Sequence, residues 1–189
     1  MSARPFSLTA ALAFLAACLV TLAAFSQNVG AKTTGAKVRR CSGGKITLSR
    51  YEAGVFWRQN RIRAEHGLRR LCVNPILERA ARAHSREMLQ KQYFSHDSYD
   101  GQSFYERLIS FGYTPNGYRY WAVGENIAWG SGSYGRPAHI MNAWMHSPEH
   151  RANILNGDYR EVGIGVSRGT FAGYRGASIY TVDFGVRER

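Results

Sequence analysis

At 189 residues, with 44% hydrophobic and 13% aromatic side chains, the chain has material for one ordinary globular domain and a leader, and too much apolar content for a disordered tail. Its formal charge of +12 rests on 21 Arg and 4 Lys. Outside the cytoplasm such a chain meets anionic envelope polymers and lipid headgroups before nucleic acid, and because the arginines are scattered they read as a solvated basic surface rather than a dedicated patch.

Residues 6–25, FSLTAALAFLAACLVTLAAF, form an uncharged apolar run behind Arg4 and read as a secretory signal, so export is expected. Small residues at −3 and −1 place a cut after Ser26, making 1–26 the signal peptide, or alternatively after Ala31. The run is also long enough for an uncleaved anchor. Leu15-Ala16-Ala17-Cys18 resembles a lipoprotein processing site, although no polar tether follows Cys18; the membrane enters only through these two alternatives. Loss of Cys18 with the leader leaves Cys41 and Cys72 in an oxidising compartment. A bridge between them is expected, closing roughly 30 residues and adding about 3 kcal/mol by chain entropy; the alternative is two free thiols. Residues 27–47, rich in Gly, Thr, Ser and Lys, read as a flexible linker, with the domain spanning 48–189.

Residues 49–66 place Tyr51, Val55 and Ile62 on one helical stripe that stops at Gly67. Asn74-Pro75 supplies an N-cap and an N1 proline for a second helix, with Leu77, Ala80, Ala81, His84 and Met88 at helical spacing to about Gln92. His84 falls on that apolar stripe and reads as a core histidine, whereas His66 and His139 read as surface. Ser103-Phe104-Tyr105-Glu106 is a capping box for a third helix with Phe104, Leu108 and Phe111 on one face and Gly112 at its end. Arg136-Pro137 opens a fourth, its apolar face made by Ile140, Ala143 and Trp144. The period then changes. Val162, Ile164 and Val166 alternate with small residues, and Tyr180, Val182 and Phe184 alternate again, giving two antiparallel strands, with Ala122–Trp129 as a further candidate. Helices first and strands last predict an α+β domain.

Residues 145–155, MHSPEHRANIL, match the H-x-x-E-H pattern of one class of zinc peptidases through His146, Glu149 and His150. That site needs both imidazoles on one continuous helix. Pro148 has no N–H for the ladder and pushes Ser147 out of helical geometry, so His146 ends one helix and His150 lies in the first turn of the next. A histidine there sits near free N–H groups that favour its neutral form, which can accept a hydrogen bond or bind a metal.

Phe94-Ser95-His96, Gly124-Glu125-Asn126-Ile127-Ala128, Ser147-Pro148-Glu149-His150-Arg151-Ala152-Asn153-Ile154-Leu155, Tyr159 and Val162-Gly163-Ile164-Gly165 together resemble the bacterial branch of the CAP superfamily (SCP domain). The superfamily takes in cysteine-rich secretory proteins, insect antigen 5 and plant pathogenesis-related proteins. Asn60, Gly67-Leu68 and Asp183-Phe184-Gly185 extend the resemblance over roughly residues 48–189. It implies an α–β–α sandwich with a central antiparallel sheet between helical layers, and a cleft holding a tetrad of two histidines and two acids. By motif, His96, Glu125 and His150 are three of the four. The position of the second acid is Ser147 here, and Glu149 is a candidate substitute.

Two imidazoles and a carboxylate can hold a divalent cation such as Zn²⁺ through His96 and His150, act as a general acid/base pair, or form a hydrogen-bonded brace between sheet and helices. No Gly-x-Ser-x-Gly nucleophile is present. The resemblance favours a secreted binding module for an envelope polymer, lipid or sterol-like ligand or glycan over a metal-dependent hydrolase of peptide or envelope polymer. Tyr118, Tyr120, Trp121 and Trp129 are candidates either to wall its groove or to fill the core. No basic–aromatic motif points to nucleic acid.

Overall fold

The computed structural model describes residues 35–189, so the leader, Cys18 and the alternative cleavage sites lie outside the described residues. Ala36–Arg39 (β1) and Lys45–Leu48 (β2) pair as an antiparallel hairpin. The part of the expected linker from residue 36 onward is therefore folded. Val38 and Leu48 are buried in the main core, and the Cys41–Cys72 disulfide, with Cα atoms 5.0 Å apart, ties the hairpin turn to the chain beyond the first helix. Four-residue strands rich in Lys, Arg and Thr carry little propensity of their own, which is why composition alone read as a tether.

Ser49 caps Arg50–Glu65 (α1) through a reciprocal capping box with Glu52. Val55 is buried as the stripe predicts, with Ala53 and Phe56, but Glu52, Gln59, Asn60 and Arg63 are buried beside them, while Tyr51 and Ile62 are only partly covered. Cys72–Val73 (β3) precedes Pro75–Lys91 (α2), which Asn74 caps and which ends at Gln92 in the left-handed region. Phe104–Ser110 (α3), Tyr120–Gly130 (β4), Pro137–Met145 (α4), Pro148–Leu155 (α5), Glu161–Phe171 (β5) and Tyr174–Glu188 (β6) complete the order. Among the described residues no helix is long and apolar enough to cross a membrane.

The main sheet runs β3-β5-β6-β4. Its three long strands are antiparallel as expected, while the two-residue β3 lies parallel to β5, so the sheet is mixed. Side chains alternate between its faces. Val162, Ile164, Tyr180, Val182, Phe184 and Val186 pack with Val55, Phe56, Ile140, Met141, Trp144 and Ile154 of α1, α4 and α5. On the other face α2 settles against β5 at Gly163 and Gly165, where an added Cβ would lie 2.1 Å from the carbonyl carbon of Leu77 and 2.2 Å from that of Ala81. Ser85 donates to Gly165 O and accepts from the Thr181 hydroxyl across the same seam. Helical layers thus cover both faces, and β4, as an edge strand, leaves one border of the sandwich open.

Candidate functional site

The cleft lies along β4. It measures about 470 Å³ and brings together His96, Glu125, Glu149 and His150, with Phe104, Val123, Gly124, Asn126 and Asn153. Four expected side chains from three separate segments therefore share one cavity. His146 does not; its Nδ1 lies 2.8 Å from Asn142 O of its own helix, as the proline argument requires.

Each histidine is held differently. His96 stands on the loop after α2, half exposed, with Nδ1 2.8 Å from Glu125 Oε1. The carboxylate accepts, so the ring N–H is at Nδ1 and Nε2 is left free of it. The bond to Glu125 raises the His96 pKa, against burial. Upstream, His84 lies in the core as expected and donates from Nε2 to Ser95 O at 2.9 Å, fixing the residue next to His96.

His150 occupies the first turn of α5. Ser147, the helix N-cap, makes no side-chain cap bond; its Oγ instead lies 2.7 Å from His150 Nδ1. The hydroxyl at the position of the missing acid thus orients the imidazole without supplying charge. Trp144 stacks against the ring, with centroids 6.4 Å apart. Burial, then the neighbouring His96, lowers the His150 pKa, while Glu149 opposes this. The neutral form is favoured as the helix-start argument expects, but mainly through burial.

Four functional neighbours carried no role in the sequence reading. Arg107, on the inward face of α3, donates from Nη2 to Glu125 Oε2 at 2.5 Å, and from Nη1 to His96 O and to Ser98 Oγ, both at 3.0 Å. Asn153 of α5 donates to Asn126 Oδ1 at 2.9 Å, and Asn126 donates to His150 O at 3.0 Å, which locks α5 to the edge strand. Asp183 of β6 stands directly across from Glu125 in the register and is fully buried. Only the position of Arg107 beside apolar Leu108 on a helix face could have signalled its inward turn.

Asp183 has no donor to either oxygen. Burial, then the facing Glu125, raises its pKa well above the usual carboxylate range, so Asp183 holds its proton and can donate to Glu125. A carboxyl whose folded pKa exceeds its unfolded value contributes fully below about pH 4, and that stability is lost as pH rises toward the folded value. Asp183→Asn retains a donor and does not ionise. Its melting temperature should fall less than that of the unaltered protein between acidic and alkaline buffers; parallel pH profiles for the two would refute a protonated Asp183.

Both oxygens of Glu125 are engaged, and the Arg107 guanidinium beside it opposes a cation. Among the described residues no group of three His, Cys, Asp or Glu side chains is placed to hold a metal ion. A preassembled zinc centre does not fit this donor set; two imidazoles are what remains. None of the aromatics that could either wall the groove or fill the core lines the cleft, and Tyr120 is exposed, donating to Asp158 Oδ2 at 3.4 Å. Trp129 packs with Phe171 and Tyr174, Trp121 joins the cluster of Leu77 and Tyr113, and Tyr118 lies under Arg187.

Residues 57–184 match the family model of the cysteine-rich secretory proteins, CAP. The chain is 35% identical over 145 residues to the uncharacterized protein YkwD of Bacillus subtilis, covering 76% of this chain and 53% of YkwD. It therefore spans about half the length of that relative. An extracellular SCP-domain protein of Bacillus anthracis aligns with a TM-score of 0.57 at 27% identity, over 74% of this chain and 40% of its own. An outer surface protein of Borrelia burgdorferi has the same fold, with a TM-score of 0.59 at 20% identity, over 82% of this chain and 99% of its own.

Proposed function

Because the chain belongs to the cysteine-rich secretory protein (CAP) family, we propose that it acts outside the cytoplasm as a binding module, and that the β4 cleft takes a sugar unit of an envelope glycan. The lining of the cleft carries this reading: Phe104 and Val123 are its larger apolar groups, while imidazole, carboxylate and amide side chains supply the rest. A hydroxyl-rich ring with one apolar face matches such a mixture, whereas a lipid or sterol would leave the polar groups unpaired. The His96–Glu125–Arg107 chain fixes one polar wall and Ser147–His150 the other, so little ordering is needed on binding. The disulfide supports an oxidising compartment.

A metal-dependent hydrolase is the second reading. The observation in its favour is His96, which presents Nε2 while Nδ1 is bonded to a carboxylate, the arrangement common for metal-ligating histidines.

Titration of peptidoglycan fragments and, separately, Zn²⁺ into the protein and into a His96→Ala/His150→Ala variant distinguishes these. The glycan reading expects fragment binding by the unaltered protein, weakened about tenfold or more in the variant, with no turnover. Equal fragment binding by both proteins would sink it; Zn²⁺ binding confined to the unaltered protein, with fragment cleavage, would establish the hydrolase instead.

A further inference from the structure

A second concavity, sharing no lining residue with the β4 cleft, contradicts the expectation of scattered basic charge. This groove of about 990 Å³ is lined by Arg39 and Arg40 of the hairpin, Arg61 of α1, Arg69 and Arg70 before β3, and Arg160 before β5, with Glu188 as its one acid. The arginines come from four stretches of sequence. They meet because the Cys41–Cys72 bridge and the Cys41 N–H to Val73 O bond hold the hairpin turn against the segment that carries Arg69 and Arg70.

Little in the protein offsets this charge. Arg61 pairs with Glu65 at 3.6 Å in full solvent, an interaction worth little. Arg39, Arg69 and Arg70 make no ion pair among the described residues. Beneath them Arg63 is fully buried and donates only to carbonyl oxygens of Arg69, Ile154, Asn156 and Tyr159. Burial, then the charge of Arg160, lowers its pKa, yet a guanidinium stays protonated in a protein, so Arg63 adds its charge behind the groove. Buried Phe56 and Leu71 contribute apolar lining, and Trp57, 54% exposed, stands among the lining residues.

We propose that this groove binds a strand of polyol-phosphate polymer, a chain of phosphodiesters linked by short hydroxylated units. Guanidinium forks match phosphate oxygens in geometry as well as charge. Guanidiniums spread along a groove suit an anion that repeats along a chain, and a single carboxylate would leave most of them unanswered. A strand enters a concavity whose floor a planar bilayer does not reach. Trp57 is the one exposed aromatic in the lining, which suits an aliphatic linker better than the successive stacked bases of a nucleic acid. The inference is independent of the ligand of the β4 cleft.

Poly(glycerol phosphate) titrated into the protein should bind at low salt with an affinity that falls steeply as salt is added. An Arg39→Glu/Arg69→Glu/Arg70→Glu variant, altered at exposed positions, should bind about tenfold or more weakly. Arg79→Glu/Arg86→Glu/Arg175→Glu makes the same change in net charge outside the groove and should retain binding. Equal losses in the two variants would overturn the groove in favour of bulk charge. Tighter binding to phosphatidylglycerol vesicles or to a single-stranded oligonucleotide, equally sensitive to the groove variant, would overturn the polymer. The His96→Ala/His150→Ala variant should bind the polymer as the unaltered protein does.

Discussion

Gly165→Val should lower stability by about 3 kcal/mol or more, at the upper end of overpacking effects, or roughly 6–12 °C in melting temperature for a domain of this size. The reason is backbone against backbone. A Cβ on Gly165 would sit 2.2 Å from both the carbonyl carbon and the oxygen of Ala81, atoms of the α2 main chain that cannot rotate aside. The helix must lift off the sheet, breaking the Ser85 bonds to Gly165 O and Thr181. His84 on the same helix holds Ser95, the neighbour of His96, so glycan binding at the β4 cleft should weaken along with stability. Gly169→Ala is the matched control. Its added methyl meets Leu89 Cδ2 at 3.2 Å, the end of a flexible side chain, and should cost less than about 1 kcal/mol. Comparable denaturation midpoints for the two variants would disprove the direct seating of α2 on β5.

Arg63→Met should destabilise by a similar amount, about 3 kcal/mol, despite keeping the apolar stem. Removing a buried guanidinium spares its desolvation, which favours the variant. Against that, it strands the buried carbonyl of Ile154 (2.8 Å) and the part-buried carbonyls of Arg69 (2.9 Å) and Asn156 (2.8 Å), while Tyr159 O keeps the Arg160 guanidinium at 3.1 Å; each unanswered buried acceptor costs about 1–3 kcal/mol. Three acceptors outweigh one desolvation. Ile154 and Asn156 mark the end of α5, so the helix that carries His150 loses its anchor. Amide exchange in residues 150–156 should accelerate more than the global loss accounts for. Arg63→Lys, with a point-like ammonium in place of the fork, should fall between. A variant as stable as the original would show that the carbonyls find other donors.

Legibility in the sequence followed locality. The capping box at Ser103, Asn74-Pro75 and the break at Pro148 act through neighbouring backbone, and each helix start they predict is present. The cleft was reachable because its motifs carry His96, Glu125 and His150 as blocks. Arg63, Arg107 and Asp183 were not, because a charged residue at an apolar position looks like surface until the carbonyls, carboxylate or facing strand that receive it come from far along the chain. Asp183 even lies within a recognised motif, yet its partner is set by strand register. The two-residue β3 is too short for any period to show. The arginine groove was hidden for a related reason: its members are contributed by separate stretches and meet only through the bridge.

That bridge has an unusual duty. Most covalent crosslinks join surfaces that already attract one another, whereas Cys41–Cys72 fastens two pairs of like charges, Arg39-Arg40 and Arg69-Arg70, around one trough. Once the sulfurs are reduced, electrostatics opposes the seat of the hairpin, the more so in dilute buffer, where counterions screen least. Thiol chemistry and ionic strength thus bear on a single latch, whose other fastenings are the Cys41 N–H to Val73 O bond and the burial of Val38 and Leu48.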